Sequence, residues 1–446
     1  MNDKKEMQGY LQEFERRRRD NPGEPASWVE PVRTRAFARF AELGLPKPRN
    51  EEWRQTSIAP MRRTTFRAAR PLEGTSRGEA LKGRSFGTEA AAEIVFVNGY
   101  HAPELSREHD LPEGVLVENL SASLEGRRDL LEHHLGRYAD FETRSFSALN
   151  TAFLQEGALV LVPRGSLVAK PIHLVYLSGG NEEPSVAHPR SLILVGKRAE
   201  ATVIETYASL RDGTFLTNAV TEARVEEGGS LVHVKLQEES DEAFHIGAFQ
   251  AHQERESRLR SFSLSFGAGL SRSETGSVLD GEGIECDMDG LYLGRGDHLV
   301  DNHTVIHHAR PRCSSRELYK GILTDRSRGV FSGKIVVCRD AQKTDAKQTN
   351  QALLLSRDAA VHTKPQLEIY ADDVRCTHGA TVGRLDEEAV FYLRSRGLGE
   401  KAARSLLTLA FAREVVDRVE FAPLRTRLEE MLLARLPHGE DIRGVL

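Results

Sequence analysis

Between about Gly157 and Gly383 the chain carries the hydrophobic pattern of many short strands and no pattern of a long helix. Apolar and polar residues alternate within the runs, as in Val232, His233 and Val234, and glycines separate the runs at irregular intervals. Alternation gives a strand two faces, and we interpret His233 as a solvated residue on the face opposite its neighbours. Many short strands in succession predict a sandwich, a barrel or a β-solenoid, and the length of the stretch favours a solenoid of stacked coils.

Helical patterns occupy the two ends of the chain. Met7, Tyr10 and Phe14 recur at the spacing of one helical face, and a second helix is predicted to end at Gly44. After the strands, Asp386 is a suitable N-cap for a further helix. We therefore divide the chain into an N-terminal helical and mixed region at 1–150, a β core at 151–382 and a C-terminal helical domain at 383–446.

The helix predicted from about Glu400 to Val419 has two adjacent apolar stripes, which make a face wider than a surface helix needs. One interpretation is a helix buried in its own small bundle. The other is a helix that packs one stripe on its own domain and offers the second stripe, which includes Leu407 and Phe411, to a partner. The pattern leaves both interpretations open.

The charge and hydropathy of the chain exclude several classes of function. The 446 residues include 61 Lys and Arg against 66 Asp and Glu, a net charge of -5, so no global field favours nucleic acid or an anionic membrane. No apolar run approaches the roughly 18 to 20 residues that a membrane-spanning helix needs. The first residues are polar and lack the apolar segment of a signal peptide, so we expect a cytoplasmic protein.

Two motifs are typical of enzymes, and neither has the context that its chemistry needs. Residues 74–78 match the nucleophile elbow G-x-S-x-G, but they lie in a polar loop and not between a strand and a helix. Residues 329–334 are similar to a phosphate-binding loop, yet one residue is missing between the glycines and Ile335 stands where Ser or Thr would hold magnesium. We interpret residues 329–334 as a turn between strands and predict that the chain is not an enzyme.

The cysteines offer a better candidate site. None of the four stands in a C-x-x-C pair, and Cys286, Cys313 and Cys338 are predicted to be small buried side chains. Cys376 and His378 are two residues apart, so on a strand both side chains leave the same face. They would supply half of a metal site, or else a packed thiol and a hydrogen-bonded imidazole at a domain junction.

The histidines that precede Cys313 pose a similar choice. His303 and His307 would share one face of a strand, and imidazole and thiolate together suit a soft or borderline metal. Exposed or hydrogen-bonded strand histidines are nevertheless commoner than ligands. Both interpretations stay open for this segment.

Several segments of the second half make the sequence recognisable. The most specific are CTHGATVG at 376–383, TKPQLEIYADDV at 363–374, FYLRSRG at 391–397 and VFSGK at 330–334. Weaker matches extend the likeness towards the N-terminus and include EEWR at 51–54. With these motifs the chain resembles the SufB/SufD family of iron–sulfur cluster assembly proteins, and C-x-H-G-A-T is similar to the SufD side of that family.

The resemblance implies a mainly β fold, a right-handed parallel β-helix flanked by N-terminal and C-terminal helical regions. It implies a non-enzymatic scaffold subunit that pairs with a SufB-like paralogue and docks a SufC-like ATPase through its C-terminal helices. No cofactor would be bound permanently, but a transient iron–sulfur cluster would form at the interface with the SufB-like subunit. His378 is the site residue that the resemblance implies, with Cys376 as its motif neighbour and no established role as a ligand.

For the SufC-like ATPase, the docking residues expected on the C-terminal helices are Phe391, Tyr392, Arg394, Arg396, Leu407 and Phe411. Two alternative functions stay open. One is a SufB-like scaffold that binds the cluster without a paralogue. The other, from a different class, is a β-helix carbohydrate lyase or hydrolase, which would need clustered acidic residues, although adjacent pairs such as Asp372 and Asp373 point to opposite faces of a strand. The sequence also leaves open whether the isolated chain forms a homodimer.

Overall fold

Strands dominate the middle of the chain and helices its two ends. The computed structural model describes residues 2–20, 27–72, 77–180 and 183–443. The helices are α1 (Asn2–Asp20), α2 (Glu30–Leu43), α3 (Ala59–Arg63), α4 (Arg77–Ala80), α5 (Leu120–Gly126), α6 (Arg128–His134), α7 (Ser145–Ala152), α8 (Glu387–Ser395), α9 (Glu400–Val416) and α10 (Ala422–Arg435). Short 3₁₀ turns stand at Ser27–Val29, Glu51–Trp53, Gly87–Glu89 and Gly439–Ile442.

The strands are β1 (Arg67–Ala68), β2 (Ala92–Val97), β3 (Tyr100–His101), β4 (Arg107–Glu108), β5 (Leu116–Asn119), β6 (Gly157–Val162), β7 (Ile172–Ser178), β8 (Ser185–Ala187), β9 (Arg190–Val195), β10 (Glu200–Ser209), β11 (Phe215–Val225), β12 (Ser230–Glu238), β13 (Phe244–Gln253), β14 (Arg258–Ser265), β15 (Leu270–Leu279), β16 (Glu285–Gly294), β17 (Leu299–His308), β18 (Ser314–Leu323), β19 (Arg328–Val337), β20 (Asp345–Leu354), β21 (Ala360–Ile369) and β22 (Arg375–Gly383).

From β6 onward the strands build a parallel β-solenoid of eight coils, each of which gives one strand to each of two sheets. Sheet A runs β6-β9-β11-β13-β15-β17-β19-β21, and sheet B runs β7-β10-β12-β14-β16-β18-β20-β22. Every neighbouring pair in these two series is parallel. The structure thus confirms the predicted mainly β solenoid with helical regions at both ends.

The coils differ in length, which explains the irregular spacing of the glycines. Arg258 pairs with Glu285, 27 residues later, whereas Ser314 pairs with Asp345, 31 residues later. Parallel pairing joins equivalent residues of successive coils, so each offset is the length of one coil. No fixed period runs through the sequence because the corners between strands vary in length.

The space between the two sheets, called the lumen below, is filled with side chains. Its apolar part includes Val203, Leu259, Phe331 and Ile335, all of which are buried. His233 also lies in the lumen, where only 1% of it is exposed and its ring stacks on Phe249 with centroids 3.9 Å apart. The predicted solvated position of His233 is therefore wrong. Alternation separates the two faces of a strand but does not say which face is inside.

Val234, which alternates with His233, points to the outer face of sheet B, and the C-terminal helices cover that face. Val234 and Phe262 pack there with Leu409 and Val416 of α9 in one buried cluster. Most residues of both α9 stripes are buried or half-buried, and Ala410 is exposed. The structure therefore buries α9 within the chain, but against sheet B as well as α10 and not in a small helical bundle of its own. The helix ends at Val416, three residues before the predicted end.

The N-terminal region covers the outer face of sheet A. The Arg272 guanidinium lies 3.9 Å from the centre of the Trp53 ring, and the Thr56 hydroxyl donates to a carboxylate oxygen of Asp301 at 2.5 Å. A cation over an aromatic face and a buried charge-assisted hydrogen bond both hold this region on the solenoid. Trp53 belongs to the EEWR segment, which therefore has a structural role here.

Local signals set the ends of two helices as the sequence predicts. The Gly44 amide donates to the Phe40 carbonyl at the end of α2, and Gly44 has a φ of 64° that favours glycine. Asp386 caps α8, because its side chain accepts a hydrogen bond from the Glu388 amide at 2.9 Å. None of the described helices is long and apolar enough to cross a membrane.

The two ends of the solenoid differ. At the N-terminal end β3 and β4 pair with β2, and β5 pairs with β6, all in the antiparallel sense, while β2 joins sheet B beside β7. These strands precede residue 151 and still belong to the two sheets of the β core. At the other end β21 and β22 each have a paired neighbour on one side only, among the residues that the structure describes. We call these two strands the C-terminal rim.

Candidate functional site

The C-terminal rim carries both predicted site residues. Cys376 and His378 lie on β22, in register with Ala346 and Gln348 of β20, which are buried in the lumen. Cys376 and His378 therefore lie on the lumen face of the last coil. His378 is exposed and Cys376 is half-buried. The structure brings the two residues together at the open mouth of the lumen.

The two candidate ligands differ in readiness to bind a metal. Cys376 packs against the lumen core, and burial raises the pKa of its thiol while a backbone hydrogen bond at Ala346 acts in the opposite direction. The thiolate is the form that binds metals, so a raised pKa makes Cys376 a weaker ligand at neutral pH. A neutral imidazole needs no such deprotonation. His378 would thus be the readier ligand of the pair.

Exposed apolar side chains concentrate around the rim. Among the described residues seven large apolar side chains are exposed, and five of them fall between positions 369 and 392. Those five are Ile369, Tyr370, Val382, Phe391 and Tyr392. A concentration of exposed apolar side chains is typical of a surface that another protein covers.

The six residues predicted to dock the ATPase have different environments. On α8, Phe391 is 72% exposed and Tyr392 is 56% exposed, with the Arg396 guanidinium 4.6 Å from the Tyr392 ring centre. Arg394 is exposed and lies 3.8 Å from Glu400. On α9, Leu407 and Phe411 are half-buried.

Phe411 already has a partner within its own chain. The ammonium group of Lys320 on β18 lies 4.2 Å from the centre of the Phe411 ring. This contact ties α9 to sheet B and leaves less of the Phe411 ring for another protein. The freely accessible part of the predicted docking set is therefore on α8.

The histidines before Cys313 do not converge on it. His303 lies 3.0 Å from Asp301, and the Cys313 thiol donates to the Gly281 carbonyl at 3.1 Å. His307 instead lies 3.0 Å from the sulfur of Cys338, which is half-buried and not buried as predicted. Over the described ranges of the chain, no three His, Cys, Asp or Glu side chains are grouped so that they could hold a metal ion.

A network of buried charged groups in the lumen was missed by the sequence analysis. Glu205 accepts from Ser191 at 2.7 Å and lies 2.9 Å from His233, and Glu239 lies 2.7 Å from His245. These groups lie on different coils. Because the coils differ in length, the sequence does not show that the groups are close together. The alternation around His233 was the one available signal.

Lys235 belongs to the same network. Its ammonium group donates to the Ser273 hydroxyl at 2.8 Å, and burial lowers the pKa of Lys235 to about 8. Nearby Glu239 and Glu205 act in the opposite direction, as carboxylates beside an ammonium group do. The lumen thus holds ionisable groups of both signs.

The two enzyme-like motifs have different outcomes. Residues 74–76 of the G-x-S-x-G match lie outside the described residues. We expected residues 329–334 to form a turn, but they lie in the first part of strand β19. Lys334 lies 2.6 Å from Glu368 on the adjacent β21, in an ion pair across two strands. A phosphate-binding loop needs a turn whose amides converge, and a strand cannot provide one.

Comparison with known proteins decides the family. The family described as "SUF system FeS cluster assembly, SufBD core domain" matches residues 176–411, and the "SufBD protein N-terminal region" matches residues 4–174. The chain belongs to the SufBD family of iron–sulfur cluster assembly proteins. The core match covers the solenoid from β7 to α9, and so includes the rim.

Relatives within the SufBD family cover most of this chain. An iron–sulfur cluster assembly SufBD family protein of Synechocystis is 34% identical over 89% of this chain and 88% of its own length. The iron–sulfur cluster assembly protein SufD of Escherichia coli is 33% identical over 89% of this chain and 90% of its own. The SufD protein of Bacillus subtilis is 25% identical, over 95% and 97%. These matches confirm the predicted SufD-type family, and none of them supports a carbohydrate lyase.

Proposed function

We propose that this SufBD family member is a cytoplasmic, non-enzymatic scaffold subunit of the Suf complex that pairs with a SufB-like paralogue and docks a SufC-like ATPase. The observation that carries the proposal is the C-terminal rim, where two unpaired strand edges, exposed apolar side chains and the His378 imidazole occur together. All four cysteines are free, which agrees with a reducing compartment.

The unpaired edge of β22 is suited to a strand from a partner. The Arg375 amide donates to the carbonyl of Thr344, the residue just before β20. Successive residues of a parallel strand direct their amides to opposite sides, so those of Cys376, His378 and Ala380 point away from β20. These free donors and acceptors are what an added strand needs.

The neighbouring edge of β21 is less suited to pairing. The Ala360 amide donates to the carbonyl of Ser327, the residue just before β19, so the odd-numbered residues that follow point their amides to the free edge. Pro365 is one of them, and proline has no amide hydrogen to donate. We therefore place the main strand contact with the SufB-like paralogue on β22.

We propose His378 as a ligand of a transient iron–sulfur cluster at this contact, with Cys376 as a secondary candidate. Iron–sulfur clusters take about four protein ligands, of which histidine can be one, so the remaining ligands would come from the paralogue. This arrangement needs no cofactor held permanently by this chain. It also gives a reason for the exposed imidazole of His378 at the C-terminal rim.

The test uses the complex co-expressed with its SufB-like and SufC-like partners. His378→Ala should leave assembly and melting temperature unchanged but lower the iron content and the cluster absorbance. Cys376→Ser should lower them less, because serine keeps the size of the side chain and His378 remains. His362→Ala is the matched control, since His362 is also an exposed histidine of the rim but lies on β21.

A normal cluster content in His378→Ala would remove His378 from the site. A lower melting temperature in that variant would instead give the imidazole a structural role. A normal cluster content in a homodimer of this chain alone would favour a self-sufficient scaffold over a paired one.

For the SufC-like ATPase we propose a docking surface centred on Phe391 and Tyr392 of α8. Aromatic residues with a large exposed area are frequent anchors of protein interfaces. Arg394 and Arg396 lie beside them and would give the edge of this docking surface a positive charge. Leu407 is half-buried and would contribute at the edge of the contact.

A further inference from the structure

His378 is the outer end of a row of lumen side chains. The parallel register of sheet B aligns Met288 with Glu317, Glu317 with Gln348, and Gln348 with His378. Neighbouring strands are about 4.8 Å apart, so each side chain of such a row lies within contact range of the next. The residue directly beneath His378 is therefore Gln348.

Gln348 is held in place and still has an unused hydrogen-bonding group. It is fully buried, and its amide nitrogen donates to a carboxylate oxygen of Glu317 at 2.6 Å. Its amide oxygen has no partner among the described residues, which is unusual for a buried polar atom. Across the lumen stands Gly333, where a Cβ atom would lie 2.3 Å from the amide nitrogen. A glycine at this position thus makes room for the Gln348 amide.

Glu317 is the inner support of this amide. It is 3% exposed, and it faces Thr304 of sheet A as well as Gln348. Burial raises the pKa of Glu317 to about 7, although the nearby Thr304 hydroxyl and the hydrogen bond from Gln348 act in the opposite direction. Cys286 and Tyr319 are the titratable lumen groups whose pKa values respond to it.

A histidine that binds a metal through one ring nitrogen usually donates the other N–H to an acceptor in the protein. Among the described residues we find no hydrogen bond to His378, and the nearest buried acceptor without a partner in its row is the Gln348 oxygen. A ring N–H of His378 and the unused amide oxygen of Gln348 are therefore complementary as donor and acceptor.

We propose that Gln348 and Glu317 are positioning residues for His378. The Gln348 amide oxygen accepts the hydrogen of one ring nitrogen, Glu317 fixes the amide, and the second ring nitrogen is then directed out of the rim toward a soft or borderline cation such as iron. The part of this inference that concerns the cation rests on the function proposed above. The part that concerns the ring does not.

The experiment measures the tautomer of His378 in the full-length chain by ¹⁵N NMR of labelled histidine rings at pH 8. One tautomer should predominate in the wild type. Gln348→Met keeps the length of the side chain but removes the acceptor, and it should change the tautomer ratio about two- to tenfold, as the loss of one hydrogen bond does. Gln351→Met is the control, because Gln351 lies on the same strand with its side chain on the opposite face.

A second pair of variants keeps the test decisive if Gln348→Met does not fold. Glu317→Gln retains an acceptor for the Gln348 amide and should preserve the tautomer ratio, whereas Glu317→Leu should change it. An unchanged ratio in both Gln348→Met and Glu317→Leu would overturn the inference. Failure of the proposed function is seen separately, as a normal cluster content in the His378→Ala complex.

Discussion

At the residue scale, the lumen contains carboxyl groups whose pKa values are shifted in opposite directions. Burial raises the pKa of Glu317 from 4.5 to about 7. For Glu205, burial acts in the same direction, but hydrogen bonds and charge from His233, with hydrogen bonds from Ser191 and Thr221, bring the pKa below its usual value. Two glutamates in one lumen should therefore contribute to stability with opposite pH dependence.

We predict that Glu317→Gln stabilises the protein at alkaline pH. The folded protein keeps the Glu317 proton that the unfolded chain releases above about pH 4.5, so the free energy of unfolding of the wild type falls as the pH rises to about 7 and gains nothing back above it. The variant lacks this loss. Its free energy of unfolding relative to the wild type should therefore be higher at pH 8 than at pH 4, by up to about 3 kcal/mol.

Urea unfolding at the two pH values measures this difference. Glu205→Gln is the matched control and should behave in the opposite way, losing more stability at pH 8 than at pH 4, because a lowered pKa stabilises the folded state above the unfolded pKa. Equal effects of Glu317→Gln at both pH values would show that its carboxyl group is ionised to the same extent in both states.

Single residues also show where sequence reasoning stops. The cap at Asp386 and the shared face of Cys376 and His378 follow from local spacing, and both could be predicted. The row that joins Glu317, Gln348 and His378 could not, because its members are 31 and 30 residues apart and the coils have no constant length. Register between coils is a property of the folded solenoid.

At the scale of the element, α8 is short and carries two adjacent exposed aromatic residues. Phe391→Ser and Tyr392→Ser should each weaken binding of a SufC-like ATPase by about 30-fold, the effect of losing about 2 kcal/mol at an interface anchor. Isothermal titration calorimetry with the purified ATPase measures the dissociation constant. Leu167→Ser is the control, because Leu167 is 61% exposed and lies far along the chain from α8.

Unchanged dissociation constants in both aromatic variants would place the docking surface elsewhere. Point variants are preferable to a truncation from Asp386 onward, because such a truncation also removes α9 and α10. Those helices cover Val234 and Phe262 on the outer face of sheet B. Their loss would expose that face and confuse loss of binding with loss of stability.

The elements themselves could be predicted to different degrees. Periodicity was enough to place α1, α2 and α9, because apolar residues recur along each of them at helical spacing. It did not tell which stripe of α9 meets the solenoid, because that depends on the outer face of sheet B. Residues 329–334 were predicted to form a turn because they include two glycines and a serine. They lie in strand β19 instead, where small residues leave room for larger neighbouring side chains.

At the scale of the whole molecule, the unpaired edge of β22 is the feature that most restricts assembly. Ala380→Pro should prevent pairing with a SufB-like paralogue, because it removes an amide hydrogen that points to the free edge while the bonds to β20 are kept. Co-purification and sedimentation of the complex measure assembly. We expect Ala380→Val to assemble normally, since valine keeps the donor and suits a strand.

Full assembly of the Ala380→Pro variant would exclude β22 as the pairing edge. A failure of both variants would point to the volume of the side chain and not to the backbone donor. Sequence alone could narrow the fold to a sandwich, a barrel or a solenoid, and the length of the strand run favoured the solenoid. It could not predict which end stays open, because the antiparallel strands that close the N-terminal end are short and irregular in pattern.

The packing of α9 and α10 on sheet B has a consequence for biosynthesis. The ribosome makes these helices after every coil of the solenoid, yet they cover apolar side chains that belong to strands from β10 to β18. A nascent chain therefore completes its coils while one wall is still apolar and open to solvent. Chaperones that recognise exposed apolar surface would have their longest opportunity in this interval, and the docking of α9 and α10 would end it.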